Sequence, residues 1–391
     1  MSHVRRAVAC TTALTAALLA FALPASAVDP ASRTTADAAV SWIEAQQLPD
    51  GGFELASFPG FETRDAALAI AEDAQTGSTW STSEALAAVG AVKYQGVGPT
   101  PLNALDDFAA TIAGAGAAAK TIVLSASPLG LDPAAFDPAG DGNPVNLVGL
   151  LDSGCGANTA TFGPAFSDTL YGILAKKLVC GTPPTAALAT VRDAQQANGG
   201  WNFLGDSTGT DVDLDTSALA VEALVAGGAD ATDPAVRAAL TMFADNQQAS
   251  GAWQSFGTDD PNSTSLGILG ITAAGYDVDS PCWRDAVDPT RVGTPYASPA
   301  AWIRSQQLTT PPSDAGRIAS PNDAFPPVNT FATSQSVEGL LQSWLPIVRS
   351  AAQTCESPVT PVTPVTPDPD APSGTTPVVA AAVTVSPRFT G

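Results

Sequence analysis

Three aspartates stand at alternate positions just before a long apolar segment, at Asp211, Asp213 and Asp215. A side-chain oxygen at the start of a helix can accept a hydrogen bond from a free backbone N–H of the first turn, which is the role of an N-cap. A carboxyl group that its neighbours hold in the protonated form can instead act as a general acid. Because Asp168 repeats the Asp-Thr pair of Asp215 elsewhere in the chain, the pattern favours an N-cap at Asp215.

The same acids also fit the start of a calcium loop. Asp211, Asp213 and Asp215 stand at the first, third and fifth positions of a twelve-residue loop, and Glu222 stands at its last position. Thr216 occupies the sixth position, where the sharp turn of an EF-hand requires glycine. Calcium at these four acids is therefore a weak alternative, and no cofactor and no other metal is predicted.

Residues 1–27 have the features of a secretory signal peptide. Arg5-Arg6 precede an apolar stretch from Ala7 to Phe21, and Ala25-Ser26-Ala27 ends the segment with small residues suited to cleavage. The only histidine, His3, would leave with this peptide. We therefore expect a secreted protein, with a cell-wall location as an alternative, that has no histidine-dependent catalytic site and no histidine-ligated zinc.

Acidic residues outnumber basic ones, with 38 Asp and Glu against 16 Lys and Arg and a formal net charge of -22. Such a chain lacks the cations that neutralise phosphates, so nucleic acid is excluded as a partner. Anionic membrane surfaces repel it for the same reason, and the apolar segments at its two ends are short for a membrane span. The expected partner is a small organic ligand or an extracellular partner, bound by a monomer.

Four cysteines follow the signal peptide, at Cys155, Cys180, Cys282 and Cys355. An even number in an exported chain predicts two disulfides, and three pairings are possible. We favour Cys155–Cys180, which brackets one predicted helix, and Cys282–Cys355, which ties the last helix to an earlier loop. A metal site made of all four thiolates is disfavoured, because their spacing is wide and contains no Cys-x-x-Cys.

A glutamine pair followed by glycine and an aromatic residue recurs along the chain. The aromatic residues, such as Trp201 and Trp253, are expected to pack within their own repeats. The first interval between glutamine pairs is about three times the later ones, which are roughly fifty residues long, and this predicts six units in all. The pairs begin at Gln46, Gln195, Gln247 and Gln306.

Each unit is predicted to pair an outer helix, which ends in the glutamines, with an inner helix that is apolar nearly all round and therefore buried. The sequence thus predicts an all-α fold, an α6/α6 toroid over residues 28–356, followed by a disordered Pro/Thr-rich tail over 357–391. The outer helices are predicted near 36–47, 102–113, 144–153, 183–197, 233–249 and 297–307. The inner helices are predicted near 81–93, 118–130, 166–178, 214–227, 263–275 and 330–345.

The motif Gln-Gln, Gly-Gly-Trp and then Asp-Thr-Ser-Ala-Leu-Ala resembles the repeat of the prenyltransferase/squalene-cyclase superfamily, and the chain looks like its secreted single-toroid bacterial members. The resemblance covers about residues 36–350 and implies the toroid, but the superfamily contains several functions. It includes cobalamin carriers (transcobalamin and intrinsic factor), whose toroid is similar and whose second β domain has no counterpart after Cys355.

The resemblance also extends to the acid motif of the class II terpene cyclases. In that branch the middle aspartate of an Asp-x-Asp-Asp motif protonates the substrate. Asp213 and Asp215 match the first two acids of the motif, which would make Asp215 the proton donor, whereas Thr216 stands where the third acid is expected. The resemblance thus implies at most a reduced form of the cyclase site.

The starts of the inner helices are expected to gather at one end of the barrel, which we call the mouth. A concave surface with aromatic and polar groups is the usual place for a ligand. We expect a non-catalytic toroid that binds a small apolar or planar ligand there, cobalamin-like or isoprenoid-like, or a cell-surface partner. The alternatives are a reduced class II cyclase with Asp215 as the acid, and a structural adhesion module. The predicted ligand-binding residues are Trp80, Glu84, Asp168, Asp211, Asp213, Asn262, Asn322, Asp323 and Asn329.

Overall fold

The computed structural model describes residues 28–55, 60–77, 79–151, 154–321, 329–342 and 353. These parts of the chain contain fourteen α-helices and one short hairpin of two strands. The helices are α1 (Pro30–Ala45), α2 (Glu62–Asp73), α3 (Thr82–Ala91), α4 (Pro101–Ala109), α5 (Ala115–Thr121), α6 (Leu147–Leu150), α7 (Phe166–Cys180), α8 (Thr185–Asp193), α9 (Leu214–Ala226), α10 (Pro234–Asn246), α11 (Pro261–Ala273), α12 (Cys282–Val287), α13 (Pro299–Ser305) and α14 (Phe331–Leu341). The strands are β1 (Gln254–Ser255) and β2 (Thr258–Asp259), paired antiparallel.

Six inner helices form a closed ring. In chain order they are α2, α5, α7, α9, α11 and α14; each contacts the next, and α14 contacts α2. The link from α5 to α2 is made by a π-helical turn, Ile122–Ala126, that continues α5. An outer helix precedes each inner one, in the order α1, α4, α6, α8, α10 and α13. The predicted all-α toroid of six helix pairs is confirmed, and the space inside the inner ring is called the lumen.

The first inner helix is not the one that the sequence predicted. The ring contains α2, in which every residue from Glu62 to Glu72 is buried. The helix predicted near 81–93 is α3, which lies outside the ring and buries only Ala85 and Val89. The start of α2 is polar, so its sequence is typical of a loop. In contrast, the N-cap of α3 by Ser81 is a clear local signal for a helix.

The glutamine motif fastens each outer helix to the next one. One glutamine of a pair donates from Nε2 to the carbonyl of the following motif glycine and to a carbonyl at or near the start of the next outer helix. Gln195, for example, donates to Gly199 (2.8 Å) and to Ala235 in α10 (2.9 Å). Gln307 donates to Thr35 in α1 (2.8 Å), which joins the last outer helix to the first. In the first and last units the bridging residue is the second glutamine, Gln47 or Gln307, and not the first.

The motif glycine is required by its backbone and its surroundings. Gly199 has a φ of +91° and Gly316 a φ of +99°, a region that residues with a Cβ rarely adopt. A Cβ at Gly199 would lie 2.4 Å from the carbonyl oxygen of Ala238, and one at Gly316 would lie 2.2 Å from that of Ala38. The glycine therefore allows the turn to pack directly against the neighbouring outer helix.

The aromatic residue of the motif is structural, as the sequence predicted. Trp201 and Trp253 are fully buried, and their Nε1 atoms donate to Val191 (2.7 Å) and Phe243 (2.9 Å) on their own outer helices. The backbone N–H of the aromatic residue, or of its equivalent, donates to a hydroxyl in the first turn of the inner helix. These pairs are Phe53–Thr63, Phe162–Thr169, Trp201–Ser217, Trp253–Thr264 and Ile318–Thr333.

Cys155 and Cys180 form a disulfide, which confirms the first predicted pairing and indicates an oxidising compartment. Cys282 is also disulfide-bonded, and its predicted partner Cys355 lies outside the described residues. Within the described part of the chain, no helix combines the length and apolar character needed to cross a bilayer. The predicted signal peptide and the predicted Pro/Thr-rich tail lie outside that part.

Candidate functional site

The first turn of α9 separates the roles of its two aspartates. Asp213 is the N-cap, and its Oδ1 accepts a hydrogen bond from the backbone N–H of Thr216 at 2.7 Å. Asp215 lies two positions later, inside the helix. The prediction of an N-cap at Asp215 is therefore wrong, because the helix begins two residues earlier than the Asp-Thr pair suggested. The side chain of Asp215 is left for another role.

Asp215 sits among other acids at the mouth. It is half-buried, and its Oδ1 is shielded from solvent with no hydrogen-bond partner among the described residues. Desolvation, and then the charges of Asp213 and Asp260, raise the pKa of Asp215 to about 7, while the side chain of Ser263 acts in the opposite direction. A helix N-terminus normally lowers the pKa of an acid, so burial and like charge outweigh it here. Asp215 is thus a carboxyl group that keeps its proton close to neutral pH.

Asp260 is the counterpart of Asp213 in the next inner helix. It is the N-cap of α11 and accepts hydrogen bonds from the backbone N–H groups of Asn262 (2.9 Å) and Ser263 (3.1 Å). The hydroxyl of Ser320 donates to its second oxygen at 2.7 Å. Asp260 is therefore held by several donors, in contrast to Asp215, and it supplies a fixed negative charge beside that residue.

Two residues were predicted at the mouth because α3 was predicted to be an inner helix. Trp80 lies before α3, and its Nε1 donates to the carbonyl of Pro128 at 2.8 Å. Glu84 lies on α3 and accepts a hydrogen bond from the hydroxyl of Thr76 at 3.2 Å. Because α3 is outside the ring, the structure does not bring Trp80 and Glu84 to the mouth with the other residues.

The other predicted mouth residues mostly hold the backbone. Asp168 accepts from the backbone N–H of Ala165 (3.1 Å), and buried Asn329 accepts from that of Phe331 (3.1 Å). Asp211 is exposed and accepts from Gln196 Nε2 at 3.2 Å. These three side chains are engaged at helix starts and loops. Asn322 and Asp323 lie outside the described residues.

Asn262 connects two inner helices at the mouth. Its Nδ2 donates to Gln335 Oε1 at 2.8 Å, which joins the first turns of α11 and α14. Nearby, Phe61 before α2 and Phe331 on α14 form an edge-to-face pair with centroids 6.4 Å apart. Phe61 is half exposed. The mouth thus combines amide and aromatic side chains between α11, α14 and α2.

The acids of the calcium alternative do not converge on one point. Among the described residues, the carboxylates that come close enough to share an ion are Asp106, Asp137 and Asp141. Asp213 is used as an N-cap, and Glu222 lies about two turns further along α9 than Asp215. A helix that starts at Leu214 separates acids that an irregular loop would have brought together.

The lumen contains ionisable residues of which the sequence analysis selected only Glu222, as a ligand of the calcium alternative. They lie on five of the six inner helices, and they interact electrostatically with one another. The sequence signal was available, because charged residues inside helices that are otherwise apolar and buried are rare without a role. These residues are Asp65 and Glu72 on α2, Lys120 on α5, Tyr171 on α7, Glu222 on α9 and Glu338 on α14.

Glu338 is one of the most enclosed of these groups. It is 5% exposed, and its Oε1 has no hydrogen-bond partner among the described residues. Desolvation raises the pKa of Glu338 well above the usual value, and the nearby carboxylates of Glu72, Asp65 and Glu222 raise it further. The burial of Glu338 and its acidic neighbours therefore favour the protonated form of its carboxyl group, and the charge of Lys120 opposes this shift.

Lys120 and Tyr171 face the same space. The Nζ of Lys120 lies 4.9 Å from the centroid of the Phe61 ring and 5.6 Å from that of the Tyr171 ring. Desolvation lowers the pKa of Lys120 and raises the pKa of Tyr171, although both side chains keep accessible surface. A side chain can be both accessible and strongly desolvated when it lines an enclosed space, so these two residues line the lumen.

Arg64 is a second cation of this region, and its contacts hold it at the wall. Its Nη1 donates to the hydroxyl of Thr121 at 3.1 Å, and its guanidinium lies 5.0 Å from the centroid of the Phe108 ring. Arg64 thus fixes α2 against α5 and α4 and places a positive charge close to Lys120. The fold and the site together define an all-α toroid with a polar, ionisable lumen.

No protein-family model matches the chain, and no curated protein sequence matches it. Among solved structures, the chain is similar to a variant of the type II terpene cyclase MstE from Scytonema, in complex with the product merosterolic acid A. The two chains are 14% identical with a TM-score of 0.48, and the match covers 80% of this chain and 97% of that chain. A second MstE variant from Scytonema, in complex with the substrate geranylgeranyl dihydroxybenzoate, is 13% identical with a TM-score of 0.44, over 80% and 97% of the two chains. The apo form of MstE is 14% identical with a TM-score of 0.46, over 80% and 98%.

Proposed function

We propose that this chain is a secreted toroidal binding protein that takes a small organic molecule into its lumen through the mouth. The observation that carries the proposal is the set of ionisable side chains on facing inner helices, represented by Lys120, Tyr171 and Glu338. Burying such groups costs free energy, and apolar residues of similar volume would fold at least as well. Desolvated titratable groups gathered in a concave space are typical of functional sites.

The same residues change the expected chemistry of the ligand. An apolar or planar ligand would leave the carboxyl and amine groups of the lumen without partners, at a cost of about 1–3 kcal/mol for each buried group. A ligand with its own polar groups would satisfy them, and the rings of Phe61 and Phe331 at the mouth provide an apolar wall beside it. We therefore propose a small ligand that has both polar and apolar parts.

Native mass spectrometry of the secreted protein, followed by extraction of any bound compound, tests this function. We expect one organic molecule per chain, and the stripped protein should be stabilised when the compound is returned. Glu338→Gln and Tyr171→Phe should weaken binding roughly tenfold or more, which corresponds to about 1.4 kcal/mol for each lost polar contact. Glu84→Gln, on α3 outside the ring, is the matched control and should bind as the wild type does.

The proposal fails if the three variants bind the compound equally well. It fails also if the secreted protein carries no compound and no small polar molecule from its culture medium stabilises it against heat. In either case the ionisable lumen would have only a structural role.

A second candidate function, general-acid catalysis, is supported by Asp215 itself. Asp213 makes the cap, so Asp215 is not needed for it, and the pKa of Asp215 lies at about 7. A class II cyclase reaction would pass through carbocations. The lumen contains an amine and several carboxylates that would trap such cations as nucleophiles, so the geometry supports binding more than cyclisation.

Polyprenyl substrates offered to the wild type and to Asp215→Asn separate the two functions. An asparagine amide cannot donate a proton as an acid in this pH range. A cyclised product that the wild type forms and Asp215→Asn does not form would establish the catalytic function. Absence of product from both proteins would leave the binding function.

A further inference from the structure

Lys120 has an unusual set of neighbours for a lysine inside a fold. Its Nζ rests over the rings of Phe61 and Tyr171, and it makes no hydrogen bond or ion pair with any residue that the structure describes. By contrast, the guanidinium of Arg64 is bonded to Thr121. The amine of Lys120 therefore faces the lumen with aromatic walls on two sides and no bonded partner.

From this geometry we propose that Lys120 is a nucleophilic amine that captures a neutral aldehyde or ketone in the lumen as a Schiff base. The inference rests on the proposed function, because it requires that a small molecule enters the lumen. It adds the chemical class of that molecule and a covalent, reversible mode of binding.

The charges around Lys120 exclude the other usual partners of a lysine. Carboxylates of Asp65 and Glu54 act on Lys120, so an anionic ligand would be repelled. Among the described residues, the acids of the lumen also form no group of three or more close enough to hold a metal ion, whereas Asp106, Asp137 and Asp141 do. A neutral carbonyl compound avoids both obstacles, and its apolar part can lie against the Phe61 and Tyr171 rings.

The surroundings also favour the reactive form of the amine. Desolvation and the positive charge of Arg64 lower the pKa of Lys120, against the opposing effect of the carboxylates. A lower pKa gives a larger fraction of neutral amine, and desolvation beside another cation is a known way to activate lysine as a nucleophile.

The capture can be written with its atoms and protons balanced. The Nζ lone pair attacks the carbonyl carbon, a C–N bond forms, and a proton passes from nitrogen to oxygen to give a carbinolamine. Glu338, whose pKa is raised by burial and by the neighbouring carboxylates, then gives a proton to the hydroxyl group. The C–O bond breaks, water leaves, and an iminium ion remains beside the carboxylate of Glu338. Addition of water reverses the sequence, and no oxidant or reductant is needed.

Reductive trapping tests the proposal on the full secreted chain. Benzaldehyde is the probe, sodium cyanoborohydride converts any Schiff base to a stable amine, and peptide mapping locates the added mass. We expect Lys120 to be labelled at roughly tenfold lower probe concentration than the exposed Lys93, because of its lowered pKa and the aromatic walls. Lys120→Arg keeps the charge and should abolish the selective label, whereas Lys93→Arg should not change it.

Glu338→Gln supplies a second readout for the acid step. Loss of the carboxyl group of Glu338 should slow the labelling of Lys120 at pH 7 and flatten the dependence of the labelling rate on pH, since the glutamine amide cannot donate a proton. Circular dichroism of each variant checks that it folds. Equal labelling of Lys93 and Lys120 in the folded wild type would overturn the proposal. If Lys120→Arg still binds the co-purified compound with wild-type affinity, the Schiff base is excluded while binding in the lumen stands.

Discussion

Asp213 and Asp215 show how two identical side chains acquire different chemistry within one turn of helix. Asp213 precedes the helix and gives its oxygen to the N–H of Thr216. Asp215 is inside the helix, where desolvation and the charges of Asp213 and Asp260 act on its carboxyl group. Asp213 therefore stabilises α9, whereas ionisation of Asp215 destabilises the folded state.

The stability of the protein should depend on pH through Asp215. Its pKa is about 7 in the folded state and about 3.9 in the unfolded chain. The folded state therefore binds the proton more tightly, and its advantage is complete below about pH 4 and is lost as the pH rises through 7. Asp215→Asn removes this dependence, so we expect it to match the wild type at pH 4 and to exceed its free energy of unfolding at pH 8. Urea denaturation at the two pH values measures the difference.

The matched control for that experiment is the neighbouring cap. Asp213→Asn keeps a side-chain oxygen for Thr216 and should change stability little, whereas Asp213→Ala should lose about 1 kcal/mol at both pH values. A gain of stability at pH 8 in Asp213→Asn as large as in Asp215→Asn would contradict the assignment of the raised pKa to Asp215.

In the lumen, as at Asp213 and Asp215, the position of a side chain in the fold sets its chemistry. Tyr171 and Glu338 lie on different helices. Desolvation and the charges of the same two carboxylates, Asp65 and Glu222, raise the pKa of both. In the sequence, Tyr171 and Glu338 are each marked only as an ionisable side chain within an otherwise apolar helix. Their chemistry arises because the inner ring brings their side chains into one desolvated space.

At the scale of the helices, the glutamine bridges hold neighbouring outer helices in register. Each bridging amide is tied to two carbonyls, one in its own turn and one in or near the next outer helix. The bridge from Gln307 to Thr35 closes the outer layer, because it joins residues from the two ends of the folded chain.

Gln307→Ala should therefore destabilise the protein more than the same substitution at the neighbouring Gln306. The substitution removes two hydrogen bonds, each worth about 0.5–1.5 kcal/mol, and leaves buried carbonyls unsatisfied. Gln306→Ala is the control, because the bonds seen for the side chain of Gln306 go to Trp302 and Ser305 of the helix that it ends, and not to another outer helix. We expect a loss of about 1–3 kcal/mol for Gln307→Ala and less than about 0.5 kcal/mol for Gln306→Ala, measured by urea denaturation. Equal losses would mean that the bridge does not hold the ring.

The β1–β2 hairpin carries an unusual residue at its tip. Phe256 has a φ of +50° and is 97% exposed, and Gly257 follows with a φ of +79°. Two successive residues in this region form a turn that favours Asn-Gly. Phe256→Asn should therefore raise the stability by about 0.5–1 kcal/mol.

Thermal denaturation of Phe256→Asn beside Phe203→Asn tests this expectation. Phe203 is also exposed, at 64%, but its backbone lies outside the left-handed region. Only the substitution at 256 should raise the melting temperature. A similar rise in both variants would show that removing an exposed phenyl ring, and not relief of the backbone, is the cause.

At the scale of the whole molecule, the Cys155–Cys180 disulfide closes a loop whose ends are 25 residues apart in sequence. It fixes the long connection before α7 to the C-terminal end of that helix. A crosslink of this size stabilises the fold by about 3 kcal/mol, mainly by restricting the unfolded chain.

The double variant Cys155→Ala/Cys180→Ala should lose about that free energy and retain its helical circular dichroism spectrum. Mild reduction of the wild type should have at least as large an effect, since Cys282 is disulfide-bonded as well. A variant with unchanged stability would show that the loop is ordered by its packing alone.

The sequence by itself determined the repeat, the two kinds of helix and the disulfide between Cys155 and Cys180. These features depend on short spacings. The motif glutamine, glycine and aromatic residue lie within a few residues of each other, and the alternation of striped and fully apolar helices can be read in a window of one helix. The local physics of turns, caps and buried faces is enough to specify them.

Only the tertiary structure decided which helix enters the ring and what the lumen contains. The polar start of α2 is stable as a buried helix because Glu54, Thr121 and Thr330 from other elements bond to it. Likewise, Lys120 and Glu338 become neighbours because α14 closes the ring against α2 and α2 packs on the helix of Lys120. Desolvation and charge coupling depend on distance in space, so residues separated by most of the chain acquire their chemistry only when the ring has closed.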